Sequence, residues 1–334
     1  MRLRRTGELI LRTAVRRMPG ALANRLRPLP SAGATGVPAR LHRGLLTALR
    51  HGGIPAAVRT FRLADNPARS FVAADSLVLA QLYWFGEQGW EPELLQWWRE
   101  LCRRSAAVLE LGANVGYFTV QGALAAPATR YVAVEPHPTS LALCRTHLRL
   151  NGVTWVELVA AAAVTDAAGG VRLLVPDDQQ AAPTVAFVDT DGELPRAMAG
   201  PQRTAIEVPA VDVRTLLAGV DLLKLDVEGQ EHALLAAALD HLRTRRPTIV
   251  VEVLPGTVRL RRLLAELSRG LGYRCYVPQR RRLVFLDPDR LDRIDLLTEY
   301  GVQDLILSAD AELPFTSPAS PRTPPGSAPR TPAT

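Results

Sequence analysis

The chain has 334 residues, 47% of them hydrophobic, and a formal net charge of +7, which gives enough apolar material for one sizeable core with appendages. No uncharged apolar run reaches about 18 residues, which excludes a spanning helix, and arginines interrupt the opening MRLRRTGELILRTAVRR where a secretory segment needs a continuous apolar stretch, so a cytoplasmic location is expected. Residues 1–50 hold eleven arginines against the single acid Glu8, a local charge of 11 − 1 = +10 that leaves 7 − 10 = −3 for the rest, so the basic excess belongs to an N-terminal arm and argues against a nucleic-acid-binding core.

In chain order, residues 1–70 read as a basic, partly helical extension punctuated by Gly and Pro (PLPSAGATGVP). Such an arm suits a peripheral contact with an anionic membrane surface or a protein partner, and equally a plain solvated extension. The main domain is expected over 71–310. In EPELLQWWRELCRR, Pro92 suits the first position of a helix whose Leu94, Trp97, Trp98 and Leu101 form one apolar face. An alternation follows: a strand over Ala106–Leu111, a helix, a strand over Tyr131–Val134, and a helix with Leu141, Cys144 and Leu148 on one stripe. Strands are then predicted over Val153–Val164 and Leu222–Val227, followed by the helical EHALLAAALDHL and the strand TIVVEV. Strands separated by helices predict an α/β, Rossmann-like domain, a mostly parallel sheet covered on both faces. The intervening segment carries β-like pieces (VRLLVP, PTVAFVD, TAIEVPAVDV) and reads as a pocket-shaping insertion or an edge hairpin. Residues 311–334, rich in Pro, Ser and Thr, are expected to be disordered. Cys102, Cys144 and Cys275 lack metal-ligand spacing and read as small core residues.

Three motifs carry chemistry. Glu110-Leu-Gly112-Ala-Asn114-Val-Gly116 falls at a strand-to-helix junction, where open α/β sheets bind ligands and glycine lets the backbone approach them. Asparagine replaces the second glycine of the dinucleotide pattern, which favours a ligand without a pyrophosphate. Glu135, about twenty residues beyond the glycine loop, is placed to accept hydrogen bonds from a ribose, or to favour the start of the following helix. In DLLKLDVEG, strand alternation puts Lys224, Asp226 and Glu228 on one side, and Lys224 is the only lysine of the chain, against 40 − 1 = 39 arginines. Glu252 of VVEV is expected on the same rim. Charges on a buried strand must pair or face a cavity, so the cluster suits acid/base work, a cation, a positively charged ligand, or an internal ion-pair network.

ELGANVGYF, AVEPHP, LRLNGV and DLLKLDVEGQE, with YWFG, GWEPE and RPTIVVEV around them, resemble the FkbM-type S-adenosylmethionine-dependent methyltransferases in order and spacing, over roughly 76–253. The resemblance implies a class I methyltransferase fold that methylates a hydroxyl of a sugar, glycolipid, polyketide or other small metabolite. It also implies that Gly112, Asn114 and Gly116 cradle the amino-acid part of S-adenosyl-L-methionine, that Glu135 takes its ribose, that Ala162 borders the adenine, and that Asp226 lies near the methyl group. Glu110 stands where aspartate is common in the family and His137 where asparagine often follows Glu-Pro.

A hydroxyl acceptor must lose its proton, and Asp226, Glu228 or a histidine is expected to take it. Lys224 is expected to support the two acids as a compact point charge, and to act as a base only if burial neutralises it. A divalent cation on Asp226, Glu228 and Glu252 is a second mechanism. Two other readings stay open: an RNA-modifying methyltransferase using the basic arm, although the Asn/Asp-Pro-Pro-aromatic motif of base-nitrogen methylation is missing, and a non-catalytic cofactor-binding scaffold.

Overall fold

The structure, a computed structural model, describes residues 13–27, 49, 52–167, 169–177, 181–189, 203–310 and 313. Most of the basic arm and, Leu313 apart, the Pro/Ser/Thr-rich tail lie outside the described residues. A helix α1 (Gly20–Leu26) and a small antiparallel pair, β1 (Thr60–Arg62) and β2 (Ser70–Val72), precede α2 (Leu77–Phe85) and α3 (Pro92–Arg104). The alternation then begins with β3 (Ala107–Leu111), α4 (Tyr117–Ala125), β4 (Arg130–Val134), α5 (Pro138–Leu150) and β5 (Val156–Val159). An insertion follows, β6 (Ala162–Val164), β7 (Gly170–Pro176), β8 (Phe187–Val188) and β9 (Arg203–Asp212). The second half comprises α6 (Val213–Leu216), β10 (Leu222–Leu225), α7 (Glu231–Ala237), α8 (Leu239–Arg245), β11 (Thr248–Glu252), α9 (Val258–Leu271), β12 (Arg274–Gln279), β13 (Arg282–Leu286), α10 (Leu296–Tyr300) and β14 (Asp304–Ser308).

The central sheet has eight strands in the order β13-β12-β14-β11-β10-β3-β4-β5. Its middle, from β11 to β5, is parallel, and β14 enters antiparallel between β11 and β12. The parallel strands are apolar on both sides because helices cover both faces. Val108, Leu222, Val250 and Ile306 join the core beneath α2 to α5, while Leu109, Leu223, Ile249 and Leu305 join the core beneath α7 to α9. This is the α/β, Rossmann-like architecture that the alternation predicts. The connections turn one way from β3 toward β4 and β5 and the other way toward β10 and β11, so the carboxyl ends of β3 and β10 form the switch point where such sheets open a crevice.

Helix α3 shows why the tryptophan-rich stretch folds as predicted. Pro92 starts it, Arg103 and Arg104 end it where the dipole favours cations, and Trp98 is fully buried with its indole N–H donating to Phe118 O at 2.9 Å. Burying such side chains contributes roughly 1.5–3 kcal/mol each. All three cysteines are free and buried.

Four expectations are corrected. The single strand over Val153–Val164 is two strands in different sheets, since Val156 pairs with Tyr131 while Ala162 pairs with Ala210; an apolar run does not reveal which partner it will meet. The helix EHALLAAALDHL breaks at Ala238, which joins α7 to α8. Of PTVAFVD only Phe187–Val188 is strand. Finally, β10 stops at Leu225 instead of Val227, and Glu228 has a left-handed φ of 53°, so turn geometry and not strand alternation places it.

Candidate functional site

The strand register sets the floor of the site. Lys224 pairs with Glu110 on β3 and Val250 on β11, and Glu252 pairs with Asp304 on β14. Paired residues share a face, so a polar row crosses the carboxyl ends of the parallel strands on the face that α4 covers. Lys224 is 1% exposed; its ammonium lies 2.8 Å from Asp226 Oδ2 and 5.1 Å from the Phe118 ring centre. Burial works to lower its pKa, but Asp226, Glu110, Glu91 and Asp304 outweigh that and raise it. It is therefore a fixed cation and not a neutral base. Glu110, also buried, accepts from Thr119 Oγ1 at 2.8 Å and from the Tyr131 hydroxyl at 2.6 Å; burial raises its pKa while Lys224 opposes the rise.

The turn after β10 is closed by a buried carboxylate. Glu231 Oε1 accepts from Val227 N at 2.9 Å and Oε2 from Gly229 N at 2.9 Å, satisfying amides that the strand has abandoned. This turn swings Glu228 back, and oxygens of Asp226, Glu228 and Glu252 all lie within 4.8 Å of one another. Glu228 Oε2 and Glu252 Oε2 are buried and accept no hydrogen bond among the described residues. Burial, followed by the charge of Asp226, pushes both carboxyls well above the ordinary carboxylate range.

On the β3 side, Gly112 has φ 87°, and a Cβ there meets Asp226 O at 1.8 Å. Glycine is thus required by the neighbouring strand end as much as by any ligand. Asn114, at φ 48°, donates from its backbone N to Glu135 Oε2 at 2.7 Å and from Nδ2 to Pro183 O at 2.9 Å. Glu135 Oε1 accepts from His137 N at 2.7 Å. Burial raises the Glu135 carboxyl to about 7 against the pull of these two amides. Each of its oxygens keeps a lone pair for a further donor.

These groups surround a cavity of about 430 Å³, within the range of small-molecule sites. Gly112, Asn114, Glu135, Ala162, Asp226, Glu228 and Glu252 line it, with Glu110 and Lys224 at its floor. Gly116 does not: its missing Cβ gives room to Cys144 Sγ, 2.5 Å from where that atom falls, so it serves helix packing behind the wall. Sequence reasoning missed Glu91, Asp304 and Glu231. Glu91 lines the cavity with a buried, unpartnered Oε2, yet in GWEPE it reads only as the residue before a helix, because its left-handed φ of 41° leaves no trace in the sequence. Asp304 is visible only as the polar start of an apolar strand, and Glu231 only as an acid in a first helical turn.

The arrangement fits a nucleoside ligand carrying a cationic end. Glu135 offers acceptors for hydroxyl donors, Ala162 and Ala163 add apolar surface, and the acidic row offers negative charge in the same cavity. Among the described residues no helix is long and apolar enough to cross a membrane. Residues 110–275 match the family described as Methyltransferase FkbM domain. Among solved structures, methyltransferase FkbM from Methylobacillus flagellatus KT is similar at 15% identity with a TM-score of 0.39, over 70% of this chain and 54% of that one; the chain thus spans about half the length of that protein. The O-methyltransferase from Bacillus cereus in complex with SAH is similar at 10% identity and TM-score 0.36, over 66% and 82% of the two chains. The O-methyltransferase TomG from Streptomyces achromogenes, involved in tomaymycin synthesis and in complex with SAM, is similar at 12% identity and TM-score 0.35, over 65% and 78%. No curated protein matches the chain.

Proposed function

Residues 110–275 belong to the FkbM methyltransferase domain family, and from that premise we infer that the chain methylates a hydroxyl of a small acceptor, such as a sugar, glycolipid or polyketide, with S-adenosyl-L-methionine as donor. The observation that carries this reading is the pairing, across one cavity, of a ribose-type acceptor at Glu135 with a row of carboxylates beginning at Asp226. When bound, the cofactor supplies an electrophilic methyl group on a sulfonium.

The chain's own residues divide the remaining work. Glu135, held by the Asn114 and His137 amides, accepts from the ribose hydroxyls, and the open backbone at Gly112 leaves room for the amino-acid end. Asp226, fixed by Lys224, stands beside the cationic end. Methyl transfer is an in-line displacement, so alignment of donor and acceptor supplies much of the rate, up to about 7–11 kcal/mol in favourable cases. The acceptor proton goes to a carboxylate of the same row, and the raised Glu228 carboxyl has the direction of shift that a base at neutral pH needs. The acidic row disfavours a nucleic-acid acceptor, whose phosphates it repels.

Calorimetric titration of the full chain with S-adenosylhomocysteine, followed by mass spectrometry over a panel of hydroxylated acceptors, tests the reading. Binding together with a product heavier by one methylene supports it, and Asp226→Asn abolishes that product. Absence of S-adenosylhomocysteine binding overturns it, and turnover near the wild-type rate in Asp226→Asn removes Asp226 from the mechanism.

A further inference from the structure

The strand order divides the cavity in two. Glu135 follows β4 and Ala162 lies beyond β5, on one side of Asp226. Leu254, which follows β11, and Gln303, which precedes β14, line the other side. With the donor's ribose on Glu135, this second side is left to the acceptor. Trp90 and Glu91, from the stretch GWEPE, which has no part in the cofactor side, wall the same cavity. A cleft of about 110 Å³ shares Glu91, Glu252 and Gln303 with it and continues past Leu94 and Asp304, so Glu91 stands on the β11/β14 side. Glu91 holds φ 41° and ψ 53° immediately before Pro92, where a residue is ordinarily extended. Such a left-handed conformation persists only where its surroundings enforce it.

The unmet hydrogen bonds on this side select the ligand. Glu91 Oε2 is buried and accepts from no described residue. Tyr117, the first residue of α4, also lines the cavity and is 2% exposed. Its ring centre lies 5.4 Å from that of Phe118 and 6.1 Å from that of Phe71, and its hydroxyl is buried without a partner among the described residues. Burial raises the pKa of this phenol, so it remains an O–H donor at neutral pH. An acceptor and a donor, from different elements, thus await partners beside one half-buried indole, and buried polar groups left unpaired are costly. We propose that Trp90, Glu91 and Tyr117 form the acceptor subsite and take a sugar ring. One ring hydroxyl donates to Glu91, another accepts from Tyr117, and the ring's C–H face lies against the Trp90 indole. An ammonium group carries donors alone and leaves Tyr117 without an acceptor. A flat phenol has a single hydroxyl to divide between the two groups. A sugar ring has several hydroxyls, each both donor and acceptor, and C–H bonds drawn to the negative face of an aromatic ring. The inference rests on the methyltransferase reading for placing the donor on the Glu135 side, and it names the class of acceptor that reading leaves open.

Saturation-transfer difference NMR of the full chain, with and without S-adenosylhomocysteine, tests the subsite against the methyl glycosides of glucose, mannose, galactose, rhamnose and fucose. Catechol and butylamine serve as the flat and the cationic alternatives. At least one glycoside is expected to bind, with its ring C–H protons receiving most of the transfer. Its Kd is expected to rise by about 2–10-fold in Tyr117→Phe, which removes one hydrogen bond, and by about 10–100-fold in Glu91→Gln, which removes a charge-assisted one. Both variants keep the side-chain shape, and circular dichroism melting of each confirms that the fold is intact. S-adenosylhomocysteine is titrated in parallel. If it binds while no glycoside does, or while a glycoside binds equally to wild type and both variants, the subsite falls and the methyltransferase reading stands. Binding of catechol or butylamine in preference to every glycoside also overturns the subsite. If a glycoside binds and both variants weaken it while S-adenosylhomocysteine does not bind, the subsite stands and the reading of the cofactor falls.

Discussion

Lys224 Nζ stands 2.8 Å from Asp226 Oδ2 with the Phe118 ring 5.1 Å from it, so the chain's only lysine is clamped between a carboxylate and an aromatic face while its side chain is 2% exposed. Its register partner Glu110 closes the third side. A guanidinium is wider and planar, and overfilling a packed core costs about 1–3 kcal/mol. Lys224→Arg is therefore expected to lower the unfolding free energy from urea titration by that amount and to depress turnover by displacing Asp226. Lys224→Met keeps the volume but leaves Asp226 and Glu110 without their cation, with a similar or larger loss. An arginine variant with unchanged midpoint and rate shows instead that any cation serves there.

The apo chain is expected to lose stability as pH rises from about 5 to about 8. Burial raises the Glu135 and Glu231 carboxyls from 4.5 to about 7, and that of Asp304 from 3.8 to about 7. Between the unfolded and folded values the native chain holds more protons than the unfolded one, so the slope of stability against pH is negative there and flattens above the folded pKa. Urea midpoints across this range measure it, and Glu135→Gln is expected to make the decline shallower. Equal slopes in the variant and the wild type show that Glu135 ionises in the fold as it does in the unfolded chain.

Gly112→Ala is expected to destroy the crevice. The added methyl meets Asp226 O at 1.8 Å, a backbone atom that no rotamer change removes, and φ 87° is unfavourable for alanine in any case. A left-handed non-glycine residue alone costs about 1–3 kcal/mol, so the unfolding free energy falls by at least that and cofactor binding with it. Gly256→Ala, with a positive φ of 85° but nothing within 4 Å of its Cβ, is the control that carries the strain without the clash. Equal losses in the two variants would falsify the claim that the Asp226 backbone is what Gly112 accommodates.

Much of this site is legible in the sequence because it sits on regular elements. The strands ending at Leu111, Val134, Leu225 and Glu252 announce themselves as apolar runs, and the polar residues at their ends stand out against them. What the sequence hides depends on turns and on partners distant in the chain. Glu228 reaches the cluster through a left-handed turn that Glu231 holds, a route that alternation along a strand does not describe. Glu91 comes from a helix start more than a hundred residues before Asp226, and Asp304 from an antiparallel strand whose neighbour is set only by the sheet order. Gly116 illustrates the converse: it belongs to a ligand-binding motif by spacing, yet its space is used by Cys144 of the next helix.

Asn114 ties the loop after β3 to the insertion, which the sequence could place near the pocket but not attach to it. Its Nδ2 donates to Pro183 O at 2.9 Å and its Oδ1 accepts from Val115 N at 2.7 Å, so one side chain fixes both its own turn and the segment that roofs the cavity beside Ala186 and Val188. Asn114→Ala removes both bonds, each worth about 0.5–1.5 kcal/mol. Because the backbone N–H to Glu135 remains, Glu135 stays in place and the loss concentrates on the roof. S-adenosylhomocysteine binding is therefore expected to weaken by about 3–100-fold, most of it as faster dissociation because the roof no longer retains the ligand. Stopped-flow displacement separates the two rates. A variant that binds more weakly through slower association alone shows that Asn114 shapes the entrance and not the roof.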